Sequence, residues 1–442
     1  MSSLRWPDRS WIWLLRKEWR ELLVSRAWWV LAALTGPLVG VSFVTAVRTY
    51  GEASAGAVYG GAEAFSPLDG IWSPTFAAFE LAAIFLLPFV AIRLFSADRM
   101  SGALKLELQH PMPVGARLVA KVIVLGAGCA IAAIPGLIAV ILWRAYGGSI
   151  YVPEVAAVVL GHALNAAITI AVASAAASIA DHPATAAITA LGLTVGGWAI
   201  DFVAAVHGGR WESIAAYTPS ALVATFQRGL VRADVTLAAL ALVAAGLALA
   251  GIWLHPGRPA RRKLASSVAA LTATVVAIAA TTFVRTSWDV SENRRNSFPA
   301  ADERALETLH SPLLIEAHLA QRDPRRFDLD HQVVRKLRRT VPALEVRYVA
   351  RTSIGLFEQA DAGYGEIHYE MNGRRATTRL TTAESALDAI YSIADVERGE
   401  DDDPPFEGHP LAATPAGAAL IFYGLWPLNV LAASVWLLHR PG

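Results

Sequence analysis

Three ionisable residues, Glu80, His162 and Asp201, lie within long apolar stretches. A charged or titratable side chain is costly at membrane depth, so such residues are candidates for a functional site. We interpret them as candidates for a substrate path. Glu80 and Asp201 are near the ends of their stretches, where hydration lowers the cost. His162 shares a helical face with Asn165, so an interhelical hydrogen bond is the alternative interpretation of His162.

No recognisable catalytic motif accompanies these residues. The sequence contains no G-x-x-x-x-G-K-[ST], no H-E-x-x-H and no G-x-S-x-G, the patterns of a phosphate-binding loop, a zinc protease and a serine nucleophile. Cys129 is the single cysteine, so a disulfide or a cysteine-based metal site within one chain is excluded. We expect no enzymatic activity, and no metal or cofactor bound by this chain.

The composition indicates a membrane protein. Of 442 residues, 55% are hydrophobic and 17% charged, whereas a soluble domain is usually about 25% charged. The net charge of +1 does not favour nucleic acid, and we expect no such partner. The first 26 residues include six basic ones without a small-residue cleavage site, so the first apolar stretch is expected to remain as a membrane anchor.

Eight stretches are long and apolar enough to cross the hydrocarbon core, which takes about 20 residues. Thr75–Ile92 is the weakest of them because it contains Glu80. The predicted spans are Ala27–Val47, Thr75–Ile92, Val122–Trp143, Val155–Ala180, Ala184–Val206, Val235–Leu254, Leu264–Val284 and Ala416–Leu438.

The basic residues indicate the orientation. With the N-terminus inside, sixteen Lys and Arg residues fall in short cytoplasmic loops and helix ends, against five in the outer loops. This positive-inside bias predicts cytoplasmic termini and an extracytoplasmic segment at 285–413. Residues 1–26 are expected to form an interfacial helix, with Trp11, Ile12, Leu15, Trp19, Leu22 and Leu23 on its apolar face and Arg16, Lys17, Arg20 and Glu21 on another.

A short cytoplasmic helix is expected at about 96–113, between the second and third spans. It begins near Ser101-Gly102 and ends at a proline. Such a helix could dock in a groove of a soluble partner or lie on the bilayer. The segment resembles the coupling-helix region of ABC type-2 permeases at Asp98, Arg99, Ser101, Gly102, Leu104, Leu106, Leu108 and Pro111, with Lys121 as the lysine that opens the next span. Ala103 and Lys105 stand where the family usually has threonine and glutamate.

The resemblance implies a set of partners. Similar permeases have an interfacial helix and six spans, which would account for residues 1–254, and a partly helical outer segment between spans five and six, which Trp211–Leu230 would provide. They act in pairs, as homodimers or heterodimers, with two copies of a separate ATPase subunit. ATP and Mg would be used by that ATPase, because this chain lacks a phosphate-binding loop.

Residues 285–410 are expected to form a small α/β domain and an acidic linker. Strands are predicted at Pro312–Ala320 and Ala343–Ala350, and a hairpin at Glu366–Met371 and Arg374–Leu380 around Asn372-Gly373. Helices are predicted at Asp330–Arg339 and Thr382–Ala394. The segment resembles the start of the gliding-motility-type auxiliary component of ABC transporters, at residues 288–297, Pro312 and residues 364–367. Members of that family continue into a second outer region, whereas this chain returns to the membrane.

The sequence therefore predicts a polytopic α-helical membrane protein of about eight spans, with a small α/β periplasmic domain between spans seven and eight. The functional hypothesis is the permease subunit of an ATP-driven ABC type-2 transporter in a bacterial inner membrane, fused to a truncated auxiliary domain. A membrane scaffold that assembles periplasmic partners through its outer domain is one alternative. An intramembrane enzyme that uses Glu80, His162 or Asp201 is the other.

Overall fold

The computed structural model describes residues 8–56, 65–100, 112–207, 210–255, 257–284, 286–309, 311–320, 323–349, 363–394, 396, 398 and 406–439. The chain forms two compact units. The first comprises residues 1–288 and 408–442, and the second comprises residues 289–407.

Eight helical segments in the described chain are long and apolar enough to cross a membrane, as predicted. This is the architecture of a polytopic helical membrane protein. The weakest predicted span, Thr75–Ile92, lies within one of them. The segments are Arg26–Ala55, Leu68–Ser96, Val114–Ala145, Val152–Ile179, Pro183–His207, Ala233–Leu254, Ala260–Thr281 and Leu420–Leu437.

The helices of the first unit are numbered in chain order. They are α1 (Asp8–Val24), α2 (Arg26–Ala55), α3 (Ser73–Met100), α4 (Val114–Ala132), α5 (Ile134–Ala145), α6 (Val152–Ile179), α7 (Pro183–His207), α8 (Arg210–Ala215), α9 (Pro219–Gln227), α10 (Ala233–Leu254) and α11 (Ala260–Thr281). The last helix of the chain, Trp426–Leu438, also belongs to this unit and follows a π-helical segment, Leu420–Leu425. A π-helical turn, Leu68–Trp72, precedes α3.

The third span is divided between α4 and α5 at Ala133. Pro135 follows two residues later, and a proline has no N–H to donate to the preceding turn. The backbone N–H of Gly136 donates to the Ala133 carbonyl at 2.9 Å, so a tight turn replaces the regular ladder. The predicted single span Val122–Trp143 is therefore continuous in hydropathy but interrupted in its helical hydrogen bonds.

Helix α1 packs against α4. Its buried residues Leu14, Glu18 and Leu22 are spaced by four, so they form one stripe. Leu22 fits beside Gly128 of α4, where an added Cβ would lie 2.6 Å from a Leu22 methyl carbon. Trp28 adds a hydrogen bond to this contact, because its indole N–H donates to the Gly128 carbonyl at 3.2 Å.

The last span packs on the first. Gly36 and Gly40 of α2 form a G-x-x-x-G motif that allows close approach of a second helix. An added Cβ would lie 2.1 Å from Trp426 at Gly36 and 2.3 Å from Phe422 at Gly40. The Trp426 indole N–H also donates to the Ala32 carbonyl at 2.7 Å, so shape and a hydrogen bond fix the same pair of helices.

The segment that leads back into the first unit is tied to the end of α2. The hydroxyl of buried Tyr50 lies 2.8 Å from the Phe65 carbonyl and 2.7 Å from the His409 carbonyl. The Leu411 N–H donates to the Ser54 hydroxyl at 2.9 Å. A separate two-stranded sheet is formed by β1 (Leu230–Arg232) and β2 (Ser287–Asp289).

The second unit contains a four-stranded sheet with helices against one face. Its strands are β3 (Leu313–Ala317), β4 (Leu344–Tyr348), β5 (Ile367–Met371) and β6 (Arg374–Thr378), in the order β4-β3-β5-β6. Strand β4 is parallel to β3, and the other pairs are antiparallel. The helices are α12 (Ala300–Glu307), α13 (Pro324–Leu329), α14 (Arg335–Thr340) and α15 (Ala383–Ile393).

The predicted hairpin joins β5 and β6. Asn372 and Gly373 both have positive φ, 53° and 75°, as a two-residue type I′ turn requires. The predicted helix Thr382–Ala394 is α15, with the Thr382 hydroxyl capping the Ser385 N–H. The predicted helix Asp330–Arg339 lies within a longer helical stretch, in which a π-helical segment, Asp330–Val334, joins α13 to α14.

Candidate functional site

An ionic cluster joins α1, the end of α3 and the start of α4. It contains the ammonium groups of Lys17 and Lys121 and the carboxylates of Glu18, Glu21 and Asp98. The Asp98 carboxylate bridges the two lysines, at 2.9 Å from Lys17 Nζ and 2.8 Å from Lys121 Nζ. One carboxylate of α3 is thereby bound to cations from two other helices.

Lys121 is at the buried centre of this ionic cluster. Its Nζ lies 2.7 Å from Glu18 Oε2, and it donates to the Leu94 carbonyl at 3.1 Å. The side chains of Lys121, Glu18 and Asp98 are 6%, 0% and 5% exposed, whereas those of Lys17 and Glu21 are 32% and 28% exposed. Such buried ion pairs are sensitive to loss of one partner, since the other is left as an uncompensated charge.

The ionic cluster has one more carboxylate than it has ammonium groups. Burial alone would raise the pKa of Asp98, but the charge of Lys121 and hydrogen bonds from Lys121 and Lys17 hold it below its ordinary value. Burial raises the pKa of Glu21, Lys121 acts against that shift, and the charges of Asp98 and Glu18 reinforce it. The two lysines therefore favour the ionised form of Asp98, whereas burial and the neighbouring carboxylates disfavour the ionised form of Glu21.

The predicted polar face of α1 is divided between solvent and protein. Arg16 and Arg20 are exposed, as expected, but Lys17 and Glu21 are half-buried and point towards the ionic cluster. Glu18, which the sequence analysis assigned to neither face, is fully buried. Its spacing of four from Leu14 and Leu22 was the available signal.

Most of the predicted coupling segment lies outside the described residues. Asp98 is the member whose side chain the structure describes. Arg99 falls in the last turn of α3, and its side chain is not among those described. Ser101, Gly102, Leu104, Leu106, Leu108 and Pro111 all lie outside the described ranges. The predicted helix at about 96–113 therefore stays a prediction beyond the end of α3.

Two of the predicted path residues meet inside the helical bundle. Asn165 of α6 donates its amide to Glu80 Oε1 of α3 at 3.1 Å. His162 Nδ1 is 3.9 Å from Glu80 Oε2 and has no hydrogen-bond partner among the described residues. His162 Nε2 is 3.3 Å from the amide nitrogen of Gln227, which ends α9. In the described ranges no lysine or arginine lies within ion-pair distance of Glu80.

Asp201 of α7 is bound at the other end of α9. The Thr218 hydroxyl donates to Asp201 Oδ1 at 2.7 Å and accepts the Ala221 N–H, which makes Thr218 the N-cap of α9. The Ser220 hydroxyl donates to the second Asp201 oxygen. A carboxylate is also favourable at a helix N-terminus because of the helix dipole. Asp201 and His162 thus contact the two ends of α9, and Glu80 faces His162, a relation that their separate spans in the sequence did not reveal.

Three carboxylates of the ionic cluster lie close together. The carboxylate oxygens of Glu18, Glu21 and Asp98 come within 4.8 Å of one another, a spacing that could hold a cation. Two lysine ammonium groups already supply the positive charge there. Cys129 is buried and unpaired, as expected for a small apolar residue.

No known protein-family model, curated protein or solved structure matches this chain.

Proposed function

We propose that the chain is the membrane permease subunit of an ATP-driven transporter of the ABC type-2 class, with the ionic cluster on its cytoplasmic side. The observation that carries this proposal is the position of Asp98. It is the first residue of the resembling segment, and its carboxylate is bound to both α1 and α4.

On this proposal the ionic cluster transmits a movement of the end of α3 to α1 and α4. A segment attached to the end of α3 would move α3, α1 and α4 together, because Lys17 and Lys121 bind the same carboxylate. On this proposal a separate pair of ATPase subunits binds ATP and Mg and docks on the segment after Asp98. The movement passes to the spans and opens a route between two permease copies, for export or for extraction from the inner leaflet.

Glu80, His162 and Asp201 are proposed to lie beside that route. Support comes from the Glu80 carboxylate, which has no lysine or arginine within ion-pair distance in the described ranges, and from His162 Nδ1, which has no hydrogen-bond partner there. The second unit would then be periplasmic, since an even number of spans places both termini on one side and the positive-inside bias makes that side the cytoplasm.

Purification from mild detergent tests the proposal, with the wild type beside the double variant Gly102→Pro, Leu104→Asp. Mass spectrometry should identify a co-purifying ATPase that carries G-x-x-x-x-G-K-[ST], and the double variant should lose it. A matched control, Leu264→Asn on the exposed face of α11, should retain the ATPase. If no ATPase accompanies the wild type, the permease proposal fails and the membrane scaffold becomes the better account.

A further inference from the structure

The outward side of α1 carries two arginines among exposed apolar side chains. Arg16 and Arg20 are exposed and lie about one helical turn apart. Ile12, Trp13 and Val24 are three or four residues from an arginine, so they share that side, and they are 47%, 70% and 64% exposed. These five residues are hereafter the outward row of α1. By helical periodicity the row lies opposite the buried stripe that packs on α4.

The charges of α1 are divided between its two sides. Glu18 and Glu21, the acidic residues of α1 whose side chains are described, both belong to the ionic cluster. Lys17 belongs to that cluster as well. Arg16 and Arg20, in contrast, make no hydrogen bond or ion pair with any described residue. The outward row therefore presents two positive charges that no described acidic side chain neutralises.

The connection to the first span holds α1 at the level of the bilayer surface. Helix α1 ends at Val24, and the first membrane-spanning segment begins at Arg26. Ser25 between them is bonded to both helices, since its N–H donates to the Leu22 carbonyl at 3.0 Å and its carbonyl accepts the Trp28 N–H at 3.2 Å. A helix joined to a span through one hydrogen-bonded residue cannot move far from the headgroup region.

The composition of the outward row suits that region. A helix at a bilayer surface inserts tryptophan and aliphatic side chains at the boundary of the acyl chains, while its arginines extend to the phosphates. The exposed Ile12, Trp13 and Val24 would gain from such an environment, whereas an acidic surface of a soluble protein would leave them without apolar contacts. The mixture of arginines and exposed apolar residues therefore favours lipid over a protein partner.

Arginine is also the side chain that best fits a phosphate. Its planar guanidinium group donates paired hydrogen bonds to phosphate oxygens, and these bonds are strengthened by charge. In phosphatidylcholine the phosphate is balanced by the ammonium group of the same headgroup, whereas phosphatidylglycerol has no internal cation. Two arginines without an acidic partner therefore favour an anionic headgroup.

We propose that the outward row of α1 binds anionic phospholipids, with Arg16 and Arg20 bound to headgroup phosphates and Ile12, Trp13 and Val24 inserted beside them. The sequence predicts an interfacial helix with its arginines on a different face from its apolar residues. The structure instead places both arginines among exposed apolar side chains, and this arrangement gives α1 its preference for a charged lipid. The site does not depend on the proposed transport function.

Headgroup photolabelling of the full-length chain tests the proposal. The protein would be reconstituted in phosphatidylcholine vesicles that contain a small share of phosphatidylglycerol with a photoactivatable diazirine on its headgroup, and mass spectrometry would map the labelled residues. The wild type should be labelled in α1, and the same diazirine on phosphatidylcholine should label α1 weakly. Unlabelled phosphatidylglycerol should compete, whereas soluble glycerol phosphate should not, because it lacks the acyl chains that the apolar members of the row contact.

Charge variants measure the contribution of the two arginines. Each arginine near an anionic surface changes binding about fivefold, so Arg16→Gln, Arg20→Gln should lower the labelling of α1 about 25-fold. Arg16→Lys, Arg20→Lys keeps both charges and should retain most of the labelling. Added salt should weaken labelling of the wild type by screening. The matched control Arg335→Gln, Arg338→Gln removes the same charge from exposed positions of α14 and should be labelled in α1 as the wild type is.

Thermal unfolding of each variant establishes that it folds, which is expected because Arg16 and Arg20 contact no described side chain through a hydrogen bond or ion pair. Equal labelling of wild-type α1 by the two lipid probes, as a helix covered by an acidic protein would give, overturns the proposal. So does a folded Arg16→Gln, Arg20→Gln variant that is labelled in α1 as strongly as the α14 control.

Discussion

Replacing Lys121 by methionine should destabilise the protein far more than the same change at Lys17. Methionine keeps most of the unbranched stem, so the comparison isolates the charge. Lys121 Nζ lies 2.7 Å from Glu18 and 2.8 Å from Asp98, whose side chains are 0% and 5% exposed. Removing one partner of a buried pair costs about 3–5 kcal/mol, since the remaining charge stays buried.

Lys17 touches the same carboxylates, at 2.9 Å from Asp98 and 3.3 Å from Glu18, but its own side chain is 32% exposed. Without Lys17, both carboxylates still contact Lys121. Partly solvated pairs contribute about 0–1 kcal/mol. We therefore expect Lys17→Met to lower the free energy of unfolding by no more than about 1 kcal/mol.

The measurement is reversible unfolding in mixed detergent micelles, followed by circular dichroism. Adding Glu18→Gln to Lys121→Met should restore about 0.5–3 kcal/mol, the usual coupling energy of interacting residues. The reasoning is refuted if Lys121→Met costs no more than Lys17→Met, or if Glu18→Gln adds its own loss in full.

Three further predictions use the same unfolding assay. Gly40→Ala should lower the free energy of unfolding by about 1–3 kcal/mol through overpacking, because the added Cβ would lie 2.3 Å from Phe422. The control Gly126→Ala meets nothing within 4 Å and should not destabilise. Equal effects of the two changes would contradict the packing of the last span on α2. Glu21→Gln should flatten the fall in the free energy of unfolding as pH rises above 4.5. A carboxyl group whose pKa is raised in the folded state binds its proton more tightly there, so its ionisation destabilises the folded protein. Parallel pH curves for the wild type and the variant would contradict this sign. Gly373→Ala should lower the free energy of unfolding by about 1–2 kcal/mol, because a residue with a Cβ is disfavoured at the φ of +75° found there. An unchanged free energy of unfolding would contradict the need for glycine in this turn.

Features that depend on neighbouring residues were predictable from the sequence. Continuous apolar stretches predict spans because each helix must satisfy its own backbone in lipid, and the described chain has eight helices long and apolar enough to cross a membrane. Asn372-Gly373 predicted its hairpin because positive φ at both positions is a local requirement. The break at Ala133 was missed, since hydropathy does not respond to a lost hydrogen bond.

The ionic cluster was only partly predictable, because its contacts are distant in sequence. Lys121 and Glu18 are 103 residues apart, and a helical wheel does not tell which face of α1 meets α4. Asp98 was selected through a resemblance, and its contacts with Lys17 and Lys121 came from the structure. The sequence pattern identified charged positions, whereas three-dimensional packing determined which of them are buried together.

Three-dimensional packing also determines which contacts the three path residues make. Thr218 and Ser220, at the N-terminal end of α9, bind Asp201, and Gln227 at its C-terminal end contacts His162, which faces Glu80. Their polar atoms are therefore largely engaged with α9 or with each other, as the interhelical interpretation of His162 requires. A movement of α9 away from α6 and α7 would break hydrogen bonds at both of its ends. If Glu80, His162 and Asp201 line a path, as proposed, holding α9 and lining that path belong to two states of one arrangement rather than to competing roles.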